Sequence, residues 1–242
     1  MNGPSLRFKW SHDLAIHRQI VKIFNRTMRY VPFEVKYGIG RRLRSGSYPY
    51  CLIDPGAVVV QVGAPSDTLL AGRSRGMYFS LFAGTAGKVI IVEPDAKSVQ
   101  IFEALANKYA IENLTFCSAA AWSETKSLKI FINEEHPASS FTEGSKAYDG
   151  QRMAAYHAVE LPADTLDNIL RSLGIGTVDI VSITTNGAET EILSGMKNLM
   201  AAGLPYICLA VTGENYEAMM ADYGYQLYAY DDRGFTFKQI PR

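Results

Sequence analysis

The sequence predicts an α/β protein: a Rossmann-like, doubly wound, mostly parallel sheet closed by a C-terminal antiparallel hairpin. Short apolar runs without polar alternation recur at 57–62, 88–92, 114–117, 178–183 and 205–211, as in strands buried on both faces. Helix-length segments separate them, and right-handed crossovers would wind such units into one sheet with helices on each side. The end of the chain differs. "YQLYAYDDRGFTFKQI" holds two β-rich runs joined by Asp231-Asp232-Arg233-Gly234, the pattern of a hairpin.

Taken in order, residues 12–30 place Leu14, Val21, Phe24 and Met28 at helical spacing with basic residues mostly elsewhere, which predicts an amphipathic helix ended by Pro32. A basic turn, "GIGRRLRSGSYPY", follows, giving an N-terminal extension over 1–48 and a main domain over 49–242. The first strand, 57–62, stops at Gly63-Ala64. A polar loop with Arg73 and Arg75 interrupts the chain there, and helix is expected from Gly76 to residue 83. Further helices are expected at 95–108, 164–173, 187–201 and 214–223. Extended pieces at 126–132 and 157–161 surround a polar loop over 133–156.

Composition narrows the class. With 242 residues, 48% of them hydrophobic, the chain can bury one sizeable core. No run of 18 apolar residues suggests a spanning helix, and no apolar stretch near the N-terminus suggests a secretory signal. Cys51, Cys117 and Cys208 are odd in number and widely spaced. They are expected to be small buried residues of a reducing, cytoplasmic protein. Net charge is zero, but residues 1–48 carry ten Lys and Arg against Asp13 and Glu34, an excess of +8 that the rest must cancel. A basic extension points to an anionic partner, and three roles follow. The first is a lid or dimer element, hence a homo-oligomer; the second is a peripheral contact with an anionic membrane; nucleic acid ranks last, as no recognised module accompanies the charge.

Ligands on such sheets bind beyond the carboxyl ends of the strands. Gly63 would let backbone approach a ligand there. Glu93 ends the second strand in "KVIIVEPD" and can accept hydrogen bonds from both hydroxyls of an adenosine ribose, the alternative being a solvated loop residue. Pro94 and Asp95 open the next helix, with Asp95 as its cap. His136 and His157 flank the polar loop and are the neutral-pH candidates for a general base, with His136 preferred. Asn186 could position an acceptor hydroxyl or cap the helix near Gly187. No His, Cys or carboxylate spacing suggests a metal site.

Together "VVQVGA", "RGMYFSLFA", "GKVIIVEPD", "LTFCSAAAWSE", "DTLDNIL" and "NGAETEILSGM" resemble the FkbM-type family of S-adenosylmethionine-dependent methyltransferases, from about residue 52 to the hairpin. The resemblance implies the class I methyltransferase fold, S-adenosylmethionine as cofactor, and O-methylation of a small-molecule, glycan or lipid acceptor. It carries cofactor contacts onto Gln61, Gly63, Ala64, Pro65, Ser66, Gly76, Ser80, Glu93 and Pro94. Ser118, Ala119 and Ala120 match the segment against the adenine edge, and Thr184 lies in the turn after the fourth strand. Four positions depart from the pattern, three of them acidic in it: Gln61 and Thr184 stand where it has aspartate, and Asn186 where it has glutamate. Ser182 likewise replaces a lysine. These neutral residues motivate the alternative of a catalytically altered protein that serves as a binding or assembly partner.

Overall fold

Strand β1 (Val58–Val62) is the middle of the molecule, hydrogen-bonded in parallel to β2 (Lys88–Val92) on one side and β8 (Ile180–Ile183) on the other. The computed structural model describes residues 27, 28, 30–143, 153–210 and 216–239. Beyond β2 lies β3 (Leu114–Cys117), and beyond β8 lies β9 (Tyr206–Ala210), both parallel to their neighbours. The hairpin of β10 (Tyr225–Tyr230) and β11 (Gly234–Gln239) then adds antiparallel to β9. The seven-stranded order is therefore β10-β11-β9-β8-β1-β2-β3. This is the class I methyltransferase arrangement, a mostly parallel sheet with an antiparallel end.

Alternation along each strand separates two cores. Val60, Val62, Ile90 and Val92 face one layer, whereas Val59, Val89 and Ile91 face the other. Each such Val or Ile contributes roughly 1.5–3 kcal/mol on burial, which makes the β1–β2 pair a rigid base for the loops at its tips. The first layer holds α5 (Leu166–Ser172), α6 (Glu189–Ser194), α7 (Lys197–Ala201) and α8 (Tyr216–Asp222). It also holds a second, four-stranded sheet of β4 (Ala120–Trp122), β7 (His157–Thr165), β5 (Lys126–Ile132) and β6 (Phe141–Thr142), in that order. The extended pieces expected at 126–132 and 157–161 are its two long antiparallel members.

The second layer holds α1 (Phe33–Arg44), α3 (Arg75–Ala83) and α4 (Ala96–Lys108). The expected basic turn is mostly helix. Pro32 occupies the N-cap of α1, since proline lacks only a donor that the first turn leaves unpaired. The expected helix over 12–30 lies almost wholly outside the described residues, and with it most of the basic extension. Among the described residues no helix is long and apolar enough to cross a membrane. On its outer side α1 exposes Val35, Ile39 and Leu43.

Two further expectations change. The polar loop after β1 contains a helical turn, α2 (Ser66–Leu70), and α3 starts at Arg75 behind the N-cap Ser74. A single helix over 187–201 is instead two, α6 and α7, broken at Gly195-Met196. Cys208 is buried and Cys117 half-buried, but Cys51 is exposed, on a short 3-10 turn at the surface.

Candidate functional site

The turn after β1 is built for close approach. Gly63 has φ +81°, and a Cβ there would lie 2.5 Å from the Thr184 carbonyl oxygen, so only glycine fits between the β1 and β8 tips. Gly63 N–H donates to the Val92 carbonyl, which ties the same turn to β2. Strand period puts Gln61 on the α3 side with Ile91, and a Cβ at Gly76 would lie 2.5 Å from Ile91 Cδ1 and 3.6 Å from Gln61 Cγ. The Gln61 amide donates to Thr184 Oγ1 at 2.8 Å and to the Gly63 carbonyl at 2.8 Å, while its Oε1 is buried without a partner. Thr184 Oγ1 in turn donates to the Gly63 carbonyl.

Glu93 is 7% exposed, not a solvated loop residue. Its Oε2 accepts from Ala64 N–H at 2.6 Å and its Oε1 from Asp95 N–H at 3.0 Å. Burial pushes this carboxyl up to about 7, against the lowering effect of the two amides. A carboxylate has about four acceptor sites, so each oxygen keeps one for a ligand. Asp95 caps α4 as expected, accepting from Lys97 N–H and Ser98 N–H. Ser66 N–H donates to Ser98 Oγ, which docks α2 on that helix.

Two chambers meet at this turn. The first is apolar: Glu93 and Pro94 at the β2 tip face Ala120, Ala121, Leu128 and Ile130 of the small sheet. Residues 137–141 complete it, held in place by Asn186, whose amide donates to the carbonyls of Ala138 (2.8 Å) and Ser140 (2.7 Å). Asn186 therefore does not cap α6; that helix begins at Glu189 behind Ala188, with no side-chain cap. The second chamber is polar and lies between the insertion and the hairpin turn, lined by Thr68, Arg73, Arg75, Ala210 and Arg233. The chambers share Gly63, Pro65 and the segment 184–186 as a common wall.

The structure thus brings together Gln61, Gly63, Ala64, Pro65, Gly76, Glu93, Pro94, Ala120, Thr184 and Asn186. Ser66 borders a neighbouring surface groove instead. Ser80 is structural: its hydroxyl donates to Asn113 Oδ1, and Asn113 returns bonds to the Ser80 and Gly84 carbonyls. Of the three residues expected on the adenine edge, Ala120 lines the chamber, whereas Ser118 is exposed and Ala119 half-buried outside it. His136 is exposed and lines neither chamber; its backbone N–H donates to Asn133 Oδ1. His157 borders only the surface groove. Among the described residues no group of three or more His, Cys, Asp or Glu could hold a metal ion.

Sequence reasoning missed Ala121, Leu128 and Arg233. The first two carry an apolar, β-type pattern that any strand shares. Arg233 sits in a turn motif that signals chain reversal and nothing about where the reversal returns.

Arg75 is buried and fully engaged. Its guanidinium reaches Asp231 at 2.6 Å, Asp232 through Nε at 3.0 Å, and Ser182 Oγ at 3.1 Å. Tyr50 OH donates to the other Asp232 oxygen. Arg75 therefore fastens the hairpin turn to β8, and it brings a cation to Ser182, where the resembled pattern has lysine. The insertion itself is braced by α1: Tyr37 OH donates to the Leu69 carbonyl and Lys36 to that of Leu70.

A sequence profile described as the Methyltransferase FkbM domain matches residues 61–227. Among solved structures, the chain is similar to methyltransferase FkbM from Methylobacillus flagellatus KT, at 14% identity and TM-score 0.48, covering 92% of this chain and 59% of that one. It is also similar to a SAM dependent methyltransferase from Aquifex aeolicus, at 14% identity and TM-score 0.43, covering 88% of this chain and 95% of the other. A third is Aeropyrum pernix fibrillarin in complex with natively bound S-adenosyl-L-methionine, at 12% identity and TM-score 0.45, covering 83% and 73%. No curated protein sequence matches.

Proposed function

The chain belongs to the FkbM methyltransferase family, and we propose that it binds S-adenosylmethionine across the tips of β1 and β2 and methylates a hydroxyl of a small-molecule, glycan or lipid acceptor. The observation that carries this is the Gly63 turn beside buried Glu93, both opening on an apolar chamber. The residues suit the cofactor: Gly63 offers a cradle a Cβ would fill, Glu93 keeps free acceptor sites for ribose hydroxyls, and Ala120 and Ala121 give a flat apolar wall. Buried Gln61 Oε1, unpartnered, is an acceptor left over for a polar tail.

When bound, S-adenosylmethionine supplies an electrophilic methyl on a sulfonium. Such a transfer needs alignment and exclusion of water more than covalent help. The chain supplies both through the shared wall at 184–186 and the cover at 137–141 that Asn186 holds. Three acidic residues of the resembled pattern are absent, and Gln61, Thr184 and Asn186 in their places act as fasteners among loops. This favours, as a second reading, a family member that binds cofactor without turnover and serves a partner.

Calorimetry with S-adenosylhomocysteine tests the first step. Saturable binding is expected, with Glu93→Ala weakening it about ten- to hundredfold, because hydrogen bonds to a charged group contribute roughly 1.5–3 kcal/mol. No binding at near-millimolar ligand sinks the cofactor assignment. Binding without methyl transfer to any acceptor offered selects the second reading.

A further inference from the structure

The polar chamber is lined by three arginines and, among the described residues, by no carboxylate. Arg75 is balanced by Asp231 and Asp232, but Arg73 and Arg233 form no ion pair among the described residues. They arrive from different parts of the chain, Arg73 from the insertion and Arg233 from the hairpin turn, and line the same wall. Arg233 even donates to the Arg73 carbonyl at 3.4 Å. Arg73 Nε is buried and without an acceptor. Burial and the neighbouring Arg233 both pull its pKa down, and Asp67 only partly restores it. A guanidinium with a buried, unsatisfied donor beside a second cation is costly in the free protein. That cost is recovered when an oxyanion enters, since guanidinium geometry matches carboxylate and phosphate.

We infer that this chamber seats the methyl acceptor by an anionic group, a carboxylate or phosphate held between Arg73 and Arg233. The inference rests on the assignment of the cofactor to the apolar chamber. Because the chambers share Gly63, Pro65 and 184–186, an acceptor anchored at the arginines reaches toward that common wall. The charges are complementary: the methyl donor is a sulfonium cation, and an acidic acceptor brings the counter-charge into a chamber whose neighbouring Asp231 and Asp232 are engaged by Arg75. The same chemistry has another source, the carboxylate of the cofactor's methionine tail.

Inorganic phosphate, titrated calorimetrically into the full chain at constant ionic strength, separates these. Phosphate is expected to bind saturably, both alone and with saturating S-adenosylhomocysteine. Arg73→Gln with Arg233→Gln should weaken phosphate at least tenfold and leave S-adenosylhomocysteine within about twofold. The exposed single variant Arg233→Gln keeps the test valid if the double variant misfolds by circular dichroism, and it should lose phosphate affinity on its own. Absence of saturable phosphate binding overturns the inference. So does mutual exclusion of phosphate and S-adenosylhomocysteine with a double variant that loses S-adenosylhomocysteine but not methylthioadenosine, since the anion is then the cofactor's own. Arginine-dependent phosphate binding in a chain that binds no S-adenosylhomocysteine keeps the anion site and removes the cofactor assignment instead.

Discussion

Glu93 and Glu189 follow the two strands that flank β1, and each is a buried carboxylate accepting two backbone amides. Glu189 takes Thr185 N–H and Gly187 N–H, both in its own turn, and is 0% exposed. Glu93 takes Asp95 N–H from its own turn, but Ala64 N–H from the turn after β1. One carboxylate closes a loop; the other fixes the spacing of two strand tips and borders the apolar chamber. Burial raises both pKa values, Glu93 to about 7. The same hydrogen-bond pattern therefore serves stability in one place and a binding surface in the other, and the origin of the second amide makes the difference.

Glu189→Ala tests the structural half and should have the largest effect. It leaves two interior amides unpaired, at roughly 1–3 kcal/mol each, and so should lower unfolding stability by about 2–6 kcal/mol in denaturant melts. An unchanged midpoint would mean the β8 turn does not need its carboxylate. Gly63→Ala sharpens the other half, where the two turns touch. A side chain at positive φ facing the Thr184 carbonyl costs of order 1–3 kcal/mol, which is expected to weaken S-adenosylhomocysteine binding more than tenfold while circular dichroism still reports the fold. Equal affinity in this variant would place the cofactor away from the turn.

The smallest effect is in pH. Ionised Glu93 is the better acceptor for ribose hydroxyls, so S-adenosylhomocysteine affinity should rise about three- to tenfold from pH 6 to 8, and Glu93→Gln should flatten that rise. Fold stability runs the other way. The folded chain holds this proton more tightly than the unfolded chain, whose carboxyl titrates near 4.5, so the contribution of Glu93 is full below that pH and is lost as pH climbs through about 7. Thermal midpoints of wild type and Glu93→Gln across this window check the sign.

Much of the frame was legible because its signals are local. Apolar runs of four to seven residues marked the five parallel strands, and Asp95 announced a helix start by its own side chain. Local reading failed where a signal was ambiguous or too short. Pro32 was read only as a helix end, although the same residue also suits a beginning, and that α1 starts behind it went unseen. The five-residue helix α2 is shorter than the span over which helical period is visible. His136 was favoured for its chemistry, but chain direction turns it outward while its neighbours Pro137 and Ala138 line the chamber.

The sequence by itself determined the sheet, its antiparallel close and the Gly63–Glu93 pairing at adjacent strand tips, since period, caps and turns are set by neighbours a few residues apart. Only the tertiary structure decided that Asn186 would hold the cover and that Arg75 would be spent on Asp231 and Asp232, 156 and 157 residues away. It also decided that Arg73 and Arg233 would face one chamber with no ion-pair partner among the described residues. Pairing between distant side chains depends on how the loops close over the rigid strands, and no spacing along the chain encodes that distance.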